Sequence, residues 1–188
     1  MKNIAIFASG NGTNVQRIAE YFADKDVAIR LIVSNNAKAY VLERAKNLNI
    51  ETMLIDKATF YQSDDVVLSL QQLQLDLVVL AGFLWLVPDN LINAFPDKII
   101  NIHPALLPKY GGKGMYGMHV HEAVIANKEP YSGISIHYVN QHYDEGNVIM
   151  QQTCKLSPND TPEDVAKKIH TLEYEYFPLA IEQLLFGI

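Results

Sequence analysis

Short hydrophobic runs, bounded by polar and turn-forming residues, recur through the first half of the chain. They read NIAIFAS, VAIRLIVSN, ETMLID, DLVVLAG and KIINIH, and several of the segments between them show the spacing of an amphipathic helix. Strands that alternate with helices in this way predict βαβ units and a parallel sheet. The run from Leu77 to Ala81 is entirely hydrophobic, which is typical of a strand that helices cover on both faces.

The pattern changes after Tyr110. A glycine-rich stretch, GGKGMYG at 111–117, is followed by a short predicted helix, HVHEAVIAN. Two further predicted strands, YSGISIHYV and NVIMQQTCKL, are joined by the loop NQHYDEG. We expect these strands to extend the sheet with antiparallel pairing.

The last segment predicts one long closing helix, bent near Pro178. Thr161 suits the N-cap position, Pro162 suits the first turn, and the acidic residues Glu163 and Asp164 favour the positive end of a helix dipole. The predicted fold class is therefore α/β, with a doubly wound, mostly parallel, Rossmann-like sheet, an antiparallel C-terminal extension and a long closing helix.

Composition narrows the class of protein. With 188 residues, of which 49% are hydrophobic, the chain is long enough for one substantial core, and we expect a single domain over 1–188. No hydrophobic run reaches the roughly 18 residues that a membrane span needs, and the strand-like IAIFA begins too early for a cleavable leader. We therefore expect a cytoplasmic protein that has no membrane partner.

Charge and cysteine content exclude further classes. The net charge of −6 offers no general attraction to nucleic acid, although a local field can still bind a small anion. The lone cysteine, Cys154, excludes a disulfide framework and a cysteine-rich zinc site. His119 and His121 have no acidic or cysteine partner at a convincing spacing, so we expect no metal site.

The segment SGNGTN, from Ser9 to Asn14, follows the first predicted strand and opens the first predicted helix. Its backbone N–H groups and the helix dipole can hold a phosphate, and the alternative is an ordinary turn with a helix cap. The glycine pattern of a dinucleotide site breaks at Val15, and no acidic residue ends the second strand. NAD is therefore disfavoured.

Asn101 and His103 are two positions apart at the end of the strand KIINIH, so their side chains should point to the same side. An amide beside an imidazole can stabilise a developing oxyanion, and the imidazole can also transfer a proton. The alternative is a histidine whose hydrogen bonds are satisfied at a strand end. Asp144 lies in the loop HYDEG; it either performs ordinary turn chemistry or reaches back to hold a charged imidazole.

Taken in order, SGNGTN, VSN, LAGF, INIHPALLPKY, DEGNVI and DTPEDVAKKIHTLEYEYFPLAI resemble the phosphoribosylglycinamide formyltransferase family of the folate-dependent formyltransferase superfamily. The resemblance covers essentially the whole chain. The most specific part is the proline- and leucine-containing motif after Asn101. The resemblance implies that 1–102 form a phosphate-binding βαβ part and that 103–188 form a folate-binding and catalytic part of the same domain.

This resemblance implies transfer of a formyl group from 10-formyltetrahydrofolate to the amine of phosphoribosylglycinamide in purine biosynthesis. Small molecules would be its partners, no metal would be needed, and the protein would be a monomer or a homodimer. The implied catalytic residues are Asn101, protonated His103 and Asp144, with the two side chains of the strand stabilising the oxyanion and Asp144 keeping the imidazole charged. The implied binding residues are Gly12, Thr13, Asn14 and Glu173 for the amine substrate, and Leu84, Trp85, Leu86, Val87, Asn140, Gln141, His142 and Tyr143 for the folate.

One departure from the family pattern concerns the folate. Relatives often carry an arginine before the fourth strand, but this chain has no lysine or arginine between Lys57 and Lys98. Either Lys109 or Lys113 is the expected substitute. The glycine-rich stretch at 111–117 is also longer than in some relatives, and we expect it to be mobile before ligands bind.

Three alternatives stay open. Formyltetrahydrofolate hydrolase shares the catalytic trio but carries a regulatory domain ahead of the first strand, and methionyl-tRNA formyltransferase carries an RNA-binding domain after the catalytic one. We expect neither addition here. A nucleotide-binding or regulatory module without catalysis is the third alternative, because a doubly wound fold alone implies no chemistry.

Overall fold

The computed structural model describes residues 1–187 of the chain, which fold into one sheet flanked by helices. The sheet has seven strands within this range, in the order β3-β2-β1-β4-β5-β6-β7. Elements in chain order are β1 (Lys2–Phe7), α1 (Thr13–Phe22), β2 (Val27–Ser34), α2 (Val41–Asn47), β3 (Thr52–Leu54), α3 (Lys57–Tyr61), α4 (Asp65–Gln72), β4 (Leu77–Leu80), α5 (Asp89–Ala94), β5 (Ile99–His103), α6 (Met118–Ala126), β6 (Tyr131–Tyr138), β7 (Val148–Lys155) and α7 (Pro162–Phe186).

The pairing of the strands confirms the predicted fold class. Strands β1 to β5 pair in parallel, and β6 and β7 continue the sheet with antiparallel pairing after β5. Because β1 and β4 lie side by side at the centre, the connections leave them toward opposite edges of the sheet. Such a switch point opens a crevice at the carboxyl ends of the strands, where ligands bind in open α/β sheets.

Alternating side chains of the sheet divide the core into two layers. In β1, Ile4 and Ile6 face the layer that contains α1, α2, α6 and α7, whereas Ala5 and Phe7 face the layer of α3, α4 and α5. All four side chains are fully buried, as expected for a strand that helices cover on both faces. Burial on both sides explains why this strand reads as one hydrophobic run.

The closing helix α7 begins as its sequence predicts. The Thr161 hydroxyl accepts a hydrogen bond from the Asp164 N–H at 3.2 Å, and the Asp164 carboxylate accepts one from the Thr161 N–H at 3.1 Å. This reciprocal capping box satisfies two backbone donors that the first turn would otherwise leave free. The helix continues through the buried Pro178 to Phe186 and packs against α1, α6 and β6, which places Glu173 at the edge of the crevice. None of the helices in 1–187 has the length and hydrophobicity that a membrane span requires.

Candidate active site

A cavity of about 730 Å³ lies at the carboxyl ends of β1, β4 and β5. Its walls come from segments that are far apart in sequence. They are the loop 9–14 after β1, the segment 80–87 around the end of β4, the end of β5 at 101–104, the glycine-rich loop 112–117, and the loop residues 142–144 before β7. His121 of α6, His137 and Val139 at the end of β6, and the α7 residues His170 and Glu173 complete the lining.

Asn101 and His103 enter this cavity from the end of β5, on the same side of the strand. The antiparallel ladder with β6 places Asn101 opposite His137 and His103 opposite Ser135. Hydrogen bonds of the sheet therefore fix the backbone on which both side chains stand. His103 is buried, with 3% of its surface exposed, whereas Asn101 is half-buried.

Asp144 approaches the same point from the loop between β6 and β7. Its Oδ2 lies 3.4 Å from Nδ1 of His103 and accepts a hydrogen bond from the Gly112 N–H at 2.9 Å. Its Oδ1 accepts from Nδ2 of Asn101 at 3.4 Å. The φ angle of Asp144 is 58°, in the left-handed region that aspartate tolerates better than most residues. The structure thus brings all three predicted catalytic side chains into contact.

Hydrogen bonding assigns different tasks to the two ring nitrogens of His103. Nε2 lies 2.7 Å from the carbonyl oxygen of Tyr110, which can only accept, so this nitrogen carries a hydrogen. Nδ1 is consequently the nitrogen that can take up or release a proton beside Asp144. Burial lowers the pKa of His103, and the charge of Asp144 and the Tyr110 carbonyl only partly oppose that effect.

The Asp144 carboxyl group stays ionised. Burial would raise the pKa of Asp144, but the nearby His137 ring, the positive charge that His103 can carry and the hydrogen bond from the Gly112 N–H together bring it below its ordinary value. The site at neutral pH is therefore a carboxylate next to a largely neutral imidazole. This state differs from the protonated His103 that the resemblance implies for the reaction.

His137 is a site residue that the sequence reasoning missed. Its Nδ1 lies 2.9 Å from the Tyr138 carbonyl, so the hydrogen is on Nδ1 and Nε2 is free to accept from Asn101 Nδ2 at 3.1 Å. By accepting this hydrogen bond, His137 turns the amide nitrogen of Asn101, and not its oxygen, toward Asp144. The available signal was the period-two spacing in YSGISIHYV, which puts His137 on the same face of β6 as Ser135.

The loop SGNGTN forms one end of the cavity. Gly12, with φ 73°, is the N-cap of α1, and the first turn of this helix has neither a side-chain cap nor an acidic residue. Its N–H donors are thus available to an anion. The Asn14 amide donates to Glu173 Oε2 at 3.0 Å, while Oδ1 of Asn14 is buried and has no partner among the described residues. Burial raises the pKa of Glu173 despite that hydrogen bond.

The segment Leu84–Val87, predicted to contact the folate, forms another wall of the cavity. Trp85 packs into an aromatic cluster with Phe60, Tyr61 and Phe83, with ring centroids 5.8 to 6.3 Å from its own. The Ser9 hydroxyl accepts a hydrogen bond from the Leu84 N–H at 2.9 Å and so joins this wall to the loop SGNGTN. Of the other predicted folate residues, His142 and Tyr143 line the cavity, whereas Asn140 and Gln141 line a neighbouring pocket with Ile92 and Pro96.

The two lysines that were expected to replace the missing arginine are placed differently. Lys109 forms an ion pair with Glu129, with Nζ and Oε1 2.8 Å apart. Lys113 lines the cavity and is the one lysine or arginine in that lining within the described chain. Lys113 is thus the better placed of the two.

His121 faces the cavity from α6 and is 3% exposed. Burial is the main reason that its pKa falls to about 4, with smaller contributions from His170 and His103. Its Nδ1 has no hydrogen-bond partner in the described range. The described residues also contain no group of three histidine, cysteine or acidic side chains arranged to hold a metal ion.

Comparisons with known proteins agree with this arrangement. A sequence model described as formyl transferase matches residues 2–181. The chain belongs to the formyl transferase family. The Bacillus subtilis protein named phosphoribosylglycinamide formyltransferase is 35% identical over 193 aligned positions, which cover 98% of this chain and 95% of the relative.

Two further members of the formyl transferase family extend the comparison. The crystal structure of the phosphoribosylglycinamide formyltransferase from Bacillus halodurans superposes with a TM-score of 0.87 at 34% identity, covering 98% of this chain and 96% of that one. The chloroplastic enzyme of the same name from Arabidopsis thaliana is 40% identical over 183 positions. The match spans 94% of this chain but only 63% of that plant relative.

Proposed function

We propose that this formyl transferase moves a formyl group from 10-formyltetrahydrofolate to the amine of phosphoribosylglycinamide, a step of purine biosynthesis. The observation that carries the proposal is the contact of Asn101, His103 and Asp144 inside one cavity. The loop SGNGTN, whose N–H groups can bind a phosphate, forms one end of the same cavity. The relatives' name, phosphoribosylglycinamide formyltransferase, supports the same amine substrate and the same transferred group.

In this proposal the two substrates bind to different parts of the cavity wall. The N–H groups of Gly12, Thr13 and Asn14 hold the phosphate at the positive end of α1. Glu173 and the unpartnered Oδ1 of Asn14 receive the ribose hydroxyls and the amide, because a buried acceptor without a partner is costly unless a ligand supplies a donor. The wall at 84–87, with His142 and Tyr143, holds the flat ring system of the folate by apolar contact.

The reaction needs an oxyanion donor and a proton carrier between these walls. The substrate amine attacks the formyl carbon, and the electron pair of the carbonyl bond moves to oxygen. The Asn101 amide donates a hydrogen bond to that oxygen with the N–H that otherwise makes the long, 3.4 Å contact with Asp144. His103 takes the surplus proton of the amine on Nδ1 and later delivers it to the departing nitrogen of the folate. The bond from that nitrogen to carbon breaks as the carbonyl re-forms, so protons and electrons balance.

Asp144 stabilises the imidazolium that His103 becomes during this reaction. His103 is neutral at rest because burial lowers its pKa, which leaves Nδ1 ready to accept a proton. Once protonated, Nδ1–H faces Oδ2 of Asp144 and Nε2–H still bonds to Tyr110, so both N–H groups have acceptors. Neutral at rest and charged in the intermediate is the protonation cycle that a general base requires.

The test is a steady-state assay of the purified protein with 10-formyltetrahydrofolate, run with and without phosphoribosylglycinamide. We expect loss of the formyl donor only when the amine is present, with formyl-phosphoribosylglycinamide as the product. Donor loss without the amine would instead indicate a hydrolase. No donor loss in either case, with tight binding of ATP or NADH, would indicate a binding module.

A further inference from the structure

The loop Gly10–Gly12 is held from behind by helix α2. The Gly10 carbonyl accepts a hydrogen bond from the Val41 N–H at 3.1 Å. The Asn11 carbonyl accepts from Nε of Arg44 at 2.8 Å, and Oδ1 of Asn11 accepts from an Nη of the same guanidinium at 2.9 Å. Two consecutive carbonyl groups of the loop are thus bound to one short helix on the side away from the cavity.

This arrangement aims the next two N–H groups. In a trans peptide the carbonyl and the following N–H point in opposite directions, and the peptides of this loop are trans. Because the carbonyls of Gly10 and Asn11 point to α2, the N–H groups of Asn11 and Gly12 point away from it. Neither N–H donates to another group within residues 1–187. Both donors are therefore free for a ligand.

The contact between the loop and α2 is too close to allow easy adjustment. A Cβ atom on Gly12 would lie 2.4 Å from Cγ2 of Val41, and the φ angle of Gly12 is 73°. The Arg44 guanidinium also stacks on the Tyr40 ring, with Cζ 5.0 Å from the ring centroid. A planar guanidinium fixed on an aromatic face can hold two acceptors at a set angle, which a lysine ammonium does not do.

We propose that Arg44 is a positioning residue for the substrate phosphate, fixing the Asn11–Gly12 peptide so that the Gly12 N–H meets a phosphate oxygen. The inference rests on the proposed function for the identity of the substrate, but not for the geometry of the loop. Arg44 itself contacts no reacting atom. Its effect should appear in the binding of phosphate-bearing substrate and not in the chemical step.

The experiment compares phosphoribosylglycinamide with its phosphate-free riboside in the wild type and in Arg44→Ala. We expect the KM for the phosphorylated substrate to rise about tenfold, as for loss of hydrogen bonds that involve a charged group. The rate at saturation, the KM for the folate and kcat/KM for the riboside should stay within about twofold. Arg44→Lys keeps the charge but loses the planar pair of N–H donors, and we expect most of the KM defect to persist.

Arg17→Ala is the matched control. Arg17 lies on the adjacent helix α1, pairs with Glu20 at 2.7 Å and makes no hydrogen bond to the loop, so its removal changes the net charge equally. An equal KM defect in Arg17→Ala, or full rescue by Arg44→Lys, would reduce the effect to general charge and overturn the proposal. Equal losses for the phosphorylated substrate and the riboside would show a merely structural role and overturn it as well.

Equilibrium titration with the same two compounds separates this inference from the proposed function. If the wild type binds the phosphorylated compound more tightly than the riboside, and Arg44→Ala loses that preference, Arg44 positions the phosphate even without formyl transfer. If the wild type transfers the formyl group while Arg44→Ala keeps its full preference for the phosphorylated compound, the inference fails and the proposed function stands. Arg44→Lys provides the same comparison should Arg44→Ala not fold.

Discussion

His103 and Asp144 contact each other in the lining of the cavity, with Nδ1 and Oδ2 3.4 Å apart, although one ends a strand and the other lies in a loop. Because His103 must be neutral to accept a proton, we expect kcat/KM to fall as the pH drops through the His103 pKa, which lies below its ordinary value of 6.5. The measurement is a pH–rate profile.

Asp144→Asn tests the same pair. The charge of Asp144 raises the His103 pKa, so its removal should move the acid limb of the profile to lower pH. The rate at the optimum should fall by about 100-fold or more, because the imidazolium then loses its partner. Glu145→Gln, an exposed neighbouring carboxyl, is the control that should leave the profile unchanged. An acid limb that does not move in Asp144→Asn would mean that another group titrates.

Asn101 and His137 should act as one unit. Asn101→Ala removes the oxyanion donor and should reduce kcat by roughly 100- to 1,000-fold. His137→Phe leaves the amide in place but removes the acceptor that orients it, so we expect a smaller loss of about 10-fold or more. The double variant should be no slower than Asn101→Ala, since contacting residues are not additive. Additive losses would show that His137 has a separate role.

Trp85 is the one tryptophan of the chain and lies in the cavity wall, so its fluorescence reports directly on that wall. We expect a non-transferable formyl-folate analogue to change the Trp85 emission in a saturable way. Phosphoribosylglycinamide alone, bound at the opposite end, should change it much less. Trp85→Leu should raise the donor KM about tenfold through loss of aromatic contact, with little change in the KM for the amine. An analogue that binds by calorimetry without altering the emission would place the folate elsewhere.

His121 should make stability sensitive to acid. Its pKa is about 4 in the folded protein against 6.5 in an unfolded chain, so the unfolded state binds the proton first as the pH falls. The resulting stability is complete above about pH 6.5 and should decline by roughly 2 to 3 kcal/mol as the pH falls toward 4.

The measurement is urea unfolding at several pH values, with His121→Leu and the exposed neighbour His119→Leu as a matched pair. His121→Leu should flatten the dependence between pH 6.5 and 4, whereas His119→Leu should keep it. An equally steep dependence in His121→Leu would assign the acid sensitivity to other groups such as His103.

The strands and the closing helix were predictable because local rules decide them. Burial on both faces makes β1 hydrophobic from Ile4 to Phe7 and β4 hydrophobic at every position. The Thr161 cap with Pro162 marks the start of α7 whatever surrounds it. The positions of Asn101 and His103 on one side of β5 also follow from strand geometry alone.

The contacts between distant segments were not predictable from local patterns. His137 joins the site only because β6 pairs antiparallel with β5, and that register follows from the sheet as a whole. The approach of Asp144 depends on Gly146, where a Cβ atom would lie 1.6 Å from the Tyr138 carbonyl oxygen. The ion pair between Lys109 and Glu129 likewise could not be predicted, because the two residues are brought together only by the fold.

Because β5 and β6 are hydrogen-bonded to each other, the distances between the site residues on these strands do not depend on the length of the chain that connects the strands. Asn101 and His137 stay opposite each other because strand hydrogen bonds hold them, whatever number of residues runs between Lys113 and Gly117. New chain termini placed within that stretch should therefore preserve the pairing of Asn101 with His137.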